Sequence, residues 1–255
     1  MTGSELVISD SSGEKNKSEM WNNIPLPFMN YIKNENKKYS KWSDNWYNGI
    51  KNCSGDFIGV VSDDDIIINL EKSAVDFAGL GHARHIAAQL ENGITIHNFY
   101  VPAGGDEPDR KKNEKFDQKL NYLSEMKKYF HKNQPRKSIL VGDLNIAPLP
   151  EDVWDHKKMA KIVSHTQVEI DHLDAVQRAG NWIDVTRKDI PKQKLYSWWS
   201  YRAKDWDASD RGRRLDHIWA SEDIASNTGG SRILREARGW ERPSDHVPVF
   251  ATINL

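Results

Sequence analysis

The stretch Ser138-Ile-Leu-Val-Gly-Asp-Leu-Asn-Ile-Ala-Pro148 begins with a short apolar run that predicts a buried β-strand. The run ends on Gly142, and Asp143 and Asn145 follow at positions i and i+2. The closing proline prevents a helix from beginning here. Side chains two residues apart on an extended chain lie on the same side of the backbone. We therefore expect Asp143 and Asn145 to lie together at the rim of a sheet.

A carboxylate and an amide at one strand rim suit chemistry on oxygen atoms. A carboxylate can bind Mg²⁺ or take a proton from water, and an amide can bond a phosphate oxygen. The alternative for Gly-Asp-x-Asn is a turn of the Asx type at a strand end, because turn chemistry alone favours these residue types. Taken alone the motif favours the turn, so the rest of the chain must decide between the two interpretations.

Length and composition favour a soluble protein with a substantial core. The chain has 255 residues, of which 38% are hydrophobic and 29% are charged. No apolar run approaches the roughly 18 residues of a membrane span, and residues 1–19 lack the apolar segment of a secretory signal. The single cysteine, Cys53, excludes an intramolecular disulfide and a cysteine-based zinc cage. We expect a protein of the reducing cytoplasm, with no membrane partner.

Residues 186–242 form a basic and aromatic region. They hold 13 Lys and Arg against 9 Asp and Glu, although the net charge of the whole chain is −1, and several of its ten Trp lie among them. A surface of this kind suits phosphates and bases. The alternative is that the tryptophans fill a β core, because Trp buries a large area wherever it packs.

Strands with intervening helices predict an α/β sandwich in one domain. His85 to Leu90 and Ile94 to Tyr100 predict a hairpin closed by Asn-Gly. Apolar residues at helical spacing predict helices over residues 114–131 and 168–179. Further strands are predicted at residues 57–61, 66–70, 139–141, 195–201, 214–220 and 247–253.

Domain boundaries follow from composition. Residues 1–19 are rich in Ser, Lys and Glu and predict a disordered tail. The domain then covers residues 20–255, of which residues 20–56 show little periodicity and are atypical.

Three further motifs place polar side chains at the rims of predicted strands. They are Asn98-Phe-Tyr-Val-Pro-Ala-Gly-Gly105, Arg214-Leu-Asp-His-Ile-Trp219 and Ser244-Asp-His-Val-Pro248. Each alone is ordinary at a strand end. Four motifs that each offer Asp, Asn, His or Tyr at a rim indicate a functional site.

In this order the motifs resemble the exonuclease III family of abasic-site endonucleases, within the endonuclease/exonuclease/phosphatase superfamily. The resemblance runs from about Gly79 to Leu255 and includes Tyr196-Ser-Trp-Trp-Ser-Tyr-Arg202. The Ser-Trp-Trp and Arg-Gly-x-Arg-x-Asp-His stretches favour the DNA-repair branch over the lipid and inositol phosphatases. The resemblance implies a four-layer α/β sandwich in which two packed mixed β-sheets are flanked by helices.

The resemblance also implies roles in hydrolysis of a phosphodiester. Asp143 would orient or deprotonate the attacking water, and Asn145 and Tyr100 would bind the scissile phosphate. His246, held by a neighbouring carboxylate, would stabilise the charge that develops on the phosphate. Asp216 would hold an asparagine of the site in place.

By the same resemblance the enzyme would use Mg²⁺, with Mn²⁺ as an alternative. Its candidate ligands are Asp143, Asn145, Asp245, Asn22 and Glu35.

The implied partner is double-stranded DNA with abasic sites or 3′ ends, bound by a monomer. Trp198 would line the pocket for a flipped-out abasic sugar, which is cheap to extrude because it has no base to unstack. Contacts to the DNA backbone would come from Arg202, Lys204, Arg211, Arg213 and Arg214. The alternative for these residues is a solvated charged loop.

The N-terminal part departs from the family pattern. The family opens with a strand ending in Trp-Asn-Ile-Asn and a second ending in Leu-Gln-Glu-Thr-Lys, whose Glu is the main metal ligand. Met20-Trp-Asn-Asn-Ile24 offers Asn22 for the first motif, and the second is absent. Glu35 is the nearest substitute, but it lies only 13 residues after Asn22.

Residues 1–56 are therefore truncated, rearranged or divergent relative to the family, and three hypotheses remain open. They are a Mg²⁺-dependent nuclease, a catalytically impaired relative that still binds DNA, and a phosphatase of the same superfamily.

Overall fold

The computed structural model describes residues 6–10, 29–33, 72–81, 84–90, 92–241 and 243–254. The chain divides into two compact units, residues 1–71 and 72–255. In the first unit β1 (Leu6–Asp10) pairs in parallel with β2 (Met29–Lys33). Strand β1 lies within residues 1–19, where its Leu-Val-Ile run favours a strand, and the disordered tail expected over that range stays a prediction. The strands predicted at residues 57–61 and 66–70 lie outside the described residues.

The second unit contains the elements that carry the candidate site. Its described strands are β3 (Lys72–Ser73), β4 (His85–Gln89), β5 (Thr95–Tyr100), β6 (Ser138–Asp143), β7 (Trp182–Asp184), β8 (Trp198–Trp199), β9 (Gly212–Arg213), β10 (Asp216–Ser221), β11 (Thr228–Ile233) and β12 (Val249–Ile253). Its described α-helices are α1 (Glu114–Lys132), α2 (His156–Met159), α3 (Gln167–Ala179), α4 (Val185–Asp189) and α5 (Trp206–Ser209). The predicted α/β class is confirmed.

A six-stranded mixed sheet with the order β3-β4-β5-β6-β10-β7 forms the centre of this unit. Among the six strands of this sheet only β5 and β6 run parallel, and the predicted hairpin of β4 and β5 is present. The neighbouring strands β6 and β10 are antiparallel, with Asp216 opposite Asp143. Two smaller antiparallel pairs, β8 with β9 and β11 with β12, accompany this sheet. The register of β5, β6 and β10 brings three of the predicted motifs to one edge.

Helix α1 covers one face of the sheet through an apolar stripe. Asn113 caps it by accepting a hydrogen bond from Lys115 N. Its buried Phe116, Leu120 and Leu123 share one core cluster with strand residues such as Leu140. Helix α3 packs beside it and ends at Ala179, where the predicted helix over residues 168–179 also ends. None of the described helices combines the length and hydropathy that crossing a bilayer requires.

The strand predicted at residues 195–201 is only two residues long. Leu195 N bonds to Glu151 O, whereas Ser197 N bonds to Arg213 O. The segment therefore changes its hydrogen-bonding partner instead of following one neighbouring strand. A sequence pattern of alternating aromatic residues cannot reveal this change.

Candidate active site

The end of β6 is fixed by a close approach of two parallel strands. Gly142 has a φ of 131°, and a Cβ atom there would lie 2.0 Å from the carbonyl oxygen of Phe99 on β5. Only glycine fits this position. Gly142 lies opposite Phe99, so the next residues, Asp143 and Tyr100, lie opposite each other across the β5–β6 pair.

Asn145 folds back onto Asp143 in a tight corner. Its backbone has a φ of 52°, in the left-handed region that Asn tolerates better than most residues. Its N–H donates to Asp143 Oδ1 at 2.8 Å, and its Nδ2 donates to Asp143 Oδ2 at 2.8 Å and to the Val101 carbonyl at 2.9 Å. The first of these bonds is the expected Asx-type turn, so the turn and the functional arrangement occur together.

A second pair of side chains meets this corner. The Nδ1 atom of His246 donates to Asp216 Oδ2 at 2.9 Å, and its Nε2 atom lies 4.0 Å from Asp143 Oδ2. The backbone of His246 is held in an isolated bridge to Trp198. The structure thus gathers Asp143, Asn145, Asp216 and His246 at one edge, as the motifs predict.

The protonation behaviour of this group follows from its burial and its charges. Burial raises the pKa of Asp143 to about 7, and the negative charge of Asp216 contributes to the rise. Burial alone would lower the pKa of His246, but the hydrogen bond and charge of Asp216 raise it to about 9. At neutral pH His246 is therefore a cation, and Asp143 is poised to exchange a proton.

The described partner of Asp216 is a histidine. Its carboxylate accepts the hydrogen bond of His246, and its expected role of holding an asparagine stays a prediction, because Asn22 lies outside the described residues. The asparagine of the corner, Asn145, is instead held by Asp143 and by the Val101 carbonyl. The neighbouring carboxylate predicted for His246 is thus Asp216. The two come together because Asp216 begins β10, beside the bridge that fixes the His246 backbone.

Three described residues could contribute to a metal site. Asp143, Asp216 and His246 each offer an atom within 4.8 Å of the others. A protonated imidazole has no lone pair for a metal, so the available donors are carboxylate oxygens, which suit Mg²⁺. A divalent cation would also offset the like charge of the two carboxylates. The residues therefore fit such an ion.

The other predicted metal ligands have different positions. The carboxylate of Asp245 accepts the indole N–H of Trp198 at 2.9 Å and is not part of the three-residue group. Asn22 and Glu35 lie outside the described residues.

The predicted DNA contacts divide into exposed and internal residues. Arg202 is exposed, and the guanidinium of exposed Arg211 lies 4.9 Å from the centre of the Trp154 ring. Arg213 is half-buried, lies 5.0 Å from the centre of the Trp198 ring and donates to Ser164 Oγ at 2.8 Å.

Arg214 does not contact solvent, so its predicted role as a DNA contact is wrong. It is fully buried and donates to Asp152 at 2.6 Å and to Asp184 at 2.9 Å. These two carboxylates raise the pKa of the guanidinium above its usual value despite burial. Arg214 is therefore a structural ion-pair partner.

Sequence reasoning missed a buried cation beneath the corner. Lys119 is fully buried, and its Nζ donates to Asn145 O at 2.8 Å, Ala103 O at 3.3 Å and Glu169 Oε1 at 2.5 Å. It ties the loops after β5 and β6 to helix α3. A signal was present, because Lys119 occupies the apolar stripe three residues after Phe116.

This α/β sheet with a carboxylate, amide and imidazole group at one edge defines the chain as a member of a phosphoester-cleaving family. The chain belongs to the endonuclease/exonuclease/phosphatase family, which matches residues 34–246. The resemblance to its exonuclease III members is confirmed by a curated relative, exodeoxyribonuclease III of Haemophilus influenzae. The two are 29% identical over 179 residues, covering 66% of this chain and 66% of the relative.

Two solved structures are similar in both fold and sequence. An AP endonuclease from Archaeoglobus fulgidus is 28% identical with a TM-score of 0.67, and the match covers 73% of this chain and 71% of that one. A 3′ phosphatase from Neisseria, bound to a product DNA hairpin, is 27% identical with a TM-score of 0.65, and the match covers 72% and 71%. The chain spans about two thirds of the length of the curated relative named above.

Proposed function

We propose that this protein is a Mg²⁺-dependent DNA phosphodiesterase of base-excision repair. It incises duplex DNA at abasic sites and removes nucleotides from 3′ ends. The observation that carries the proposal is the position of His246, which is hydrogen-bonded to Asp216 and lies 4.0 Å from Asp143. Tyr100 and Asn145 lie beside Asp143.

Asp143 has the properties of a base for the attacking water. A general base works best when its pKa lies near the operating pH, and the pKa of Asp143 is raised to about 7. The two bonds from Asn145 fix the carboxylate in one orientation. In the reaction the water loses its proton to Asp143, one bond forms between the water oxygen and phosphorus, and one P–O ester bond breaks. The sugar oxygen that leaves takes up a proton from bulk water and departs as a hydroxyl.

His246 and its neighbours serve the phosphate. A cation beside the phosphate stabilises the charge that develops as the new bond forms, and the raised pKa keeps His246 protonated at neutral pH. Tyr100 is 40% exposed at the end of β5, within reach of a ligand from solvent. In this proposal Tyr100 binds a phosphate oxygen. Asn145 binds another by exchanging the bond from its Nδ2 atom to Asp143 for one to the phosphate, because both Nδ2 hydrogens are engaged in the free protein.

A Mg²⁺ ion would be held by the carboxylates of Asp143 and Asp216. Further oxygen donors are still proposed from Asn145, Asp245, Asn22 and Glu35, although Asp245 lies outside that group in the structure. Such an ion neutralises phosphate oxygens and stabilises the leaving oxygen.

The proposed substrate rests on the exposed basic and aromatic surface and on the relatives. Trp198 has one ring face covered by Arg213 and its indole N–H bonded to Asp245, so its orientation is fixed for lining a sugar pocket. Arg202 and Arg211 would contact the DNA backbone. Relatives are described as an exodeoxyribonuclease and an AP endonuclease. We further propose that the protein acts as a monomer in the cytoplasm.

The direct test is incision of a duplex that carries one synthetic abasic site. We expect strand cleavage with Mg²⁺, none with EDTA, and a large loss of rate for Asn145→Ala with Mg²⁺. A control variant, Asn121→Ala, alters a half-buried amide on α1 that pairs with Arg110 and should cut normally. Binding that weakens with salt but without cleavage would leave only a DNA-binding relative.

A second candidate function is supported by the Neisseria structure, which is that of a 3′ phosphatase. The same carboxylate and imidazole group would hydrolyse a terminal monoester. Release of inorganic phosphate from a duplex with a 3′-phosphate, faster than abasic incision, would favour this activity as the principal one.

A further inference from the structure

The short segment Ser197 to Trp199 links strand β10, which begins with Asp216, to the chain around His246. The carbonyl of Ser197 accepts the N–H of Val247 at 2.8 Å, and the amide of Trp199 donates to the carbonyl of Asp245 at 2.9 Å. On this side the segment holds the residues that flank His246 in the chain.

On its other side the same segment holds the beginning of β10. The hydroxyl oxygen of Ser197 accepts two backbone N–H groups, from Leu215 at 3.0 Å and from Asp216 at 3.1 Å. Ser197 N also donates to Arg213 O at 2.9 Å. Ser197 is fully buried, so no surface water replaces these bonds without rearrangement.

We propose that Ser197 is a positioning residue that sets the geometry of the Asp216–His246 pair. Its hydroxyl fixes the backbone of Asp216, and its carbonyl fixes the residue after His246. One residue thus determines the separation of the two side chains, which form a 2.9 Å hydrogen bond. The inference deepens the proposed function, on which its activity readout rests.

A purely structural role makes a different prediction, and the chain offers a matched comparison. Ser221 is also fully buried, and its hydroxyl also accepts a backbone N–H, from Ser138 at 2.9 Å. It lies at the opposite end of β10, on the order of 16 Å from Asp216 along an extended strand. If Ser197 only stabilises the fold, the two alanine variants should behave alike.

The experiment compares Ser197→Ala, Ser197→Thr and Ser221→Ala in the full chain. The first readout is kcat and KM for incision of the abasic duplex. The second needs no DNA and is the ¹⁵N–¹H NMR signal of the His246 ring, assigned by its loss in His246→Asn. Thermal unfolding reports the stability of each variant.

We expect Ser197→Ala to lower kcat by about 10- to 100-fold, because small misplacements of reacting groups are costly. KM should change little, because the lost interaction acts in the transition state. The ring signal of His246 should shift in Ser197→Ala only. Ser197→Thr should restore kcat and the signal, and Ser221→Ala should lose stability without changing either.

Three results would overturn the proposal. They are an unchanged kcat and ring signal in Ser197→Ala, equal effects of Ser197→Ala and Ser221→Ala, and a folded Ser197→Thr that behaves as the alanine variant does. If the added methyl of Ser197→Thr prevents folding, the comparison of the two alanine variants decides. If the wild-type protein cuts no DNA, the proposed function fails and the ring signal alone decides the inference.

Discussion

The corner at Gly142 to Asn145 and the basic stretch Arg211 to Arg214 both carry the family resemblance, yet they fold by different rules. In the corner the local backbone places Asp143 and Asn145 at the site, because the two residues bond to each other. In the basic stretch three arginines enter three environments: exposed, half-buried and fully buried.

The difference teaches which motifs can be interpreted residue by residue. The partner of Asn145 lies two residues away, whereas Asp152, which binds Arg214, lies 62 residues away. Local partners can be predicted from a motif. Distant partners cannot, so identical side chains in one stretch acquire unrelated roles.

The largest expected effect is on the incision rate and concerns His246, which is paired with Asp216 beside the corner. His246→Asn removes the cation beside Asp143 and should slow incision by about 10²- to 10⁴-fold. Single-turnover incision of the abasic duplex measures this rate. His172→Asn, on the exposed side of α3, is the control and should cut at the wild-type rate. A small effect of His246→Asn would show that the corner acts without its imidazole.

The next effect separates two arginines of the basic stretch. Arg214→Met leaves the buried carboxylates of Asp152 and Asp184 without this partner, so the free energy of unfolding should fall by about 3–5 kcal/mol. Arg211→Met should change it by less than about 0.5 kcal/mol, because Arg211 is exposed. Urea unfolding of both variants tests this contrast. Equal losses would contradict the assignment of Arg214 to the interior.

A buried histidine pair on β4 and β5 should make stability fall in acid. Val75 N donates to His85 Nδ1, so His85 Nε2 carries the proton that bonds to His97 Nδ1 at 3.2 Å. Burial lowers the pKa of His85 to about 3 and that of His97 to about 4, well below the ordinary 6.5.

The sign follows from where protons bind. Below about pH 6.5 the unfolded chain binds protons at these two residues that the folded chain does not. The free energy of unfolding therefore falls as the pH is lowered. Each histidine contributes at most about 1.4 kcal/mol per pH unit. We expect His97→Phe to lose less stability between pH 7 and pH 5 than wild type. The exposed His131→Gln is the control, and an identical pH slope in His97→Phe would refute the account.

The smallest effect concerns the exposed contacts. Arg202→Ala and Arg211→Ala should each weaken DNA binding a few-fold and lower the slope of log affinity against log salt by about one. Binding is measured with EDTA present to prevent cleavage. Arg178→Ala, which alters an exposed arginine on α3, should keep the wild-type slope. An unchanged slope in the two test variants would place the DNA elsewhere.

Much of the fold was predictable because its signals are local. The helix with its apolar stripe from Phe116 to Phe130, the Asn-Gly hairpin and the strand before Gly142 are all confirmed. The strand expected at residues 195–201 was overestimated, because its hydrogen-bonding partners change within a few residues.

The candidate site was predictable in its members and less so in their pairing. Asp143 and Asn145 were expected to meet, and they do. The bond of Asp216 to His246 spans 30 residues, and the clamp of Lys119 on Asn145 spans 26. Neither bond has a local signal that names its partner. Asn22 and Glu35 remain predictions.

The central claim is that Asp143 acts in the chemical step and not in binding. The measurement is binding and single-turnover incision of one abasic duplex by wild type and Asp143→Asn, with EDTA for binding and Mg²⁺ for cleavage. We expect similar affinities and an incision rate at least about 100-fold lower in the variant. An Asp143→Asn protein that binds and cuts like wild type would contradict the account.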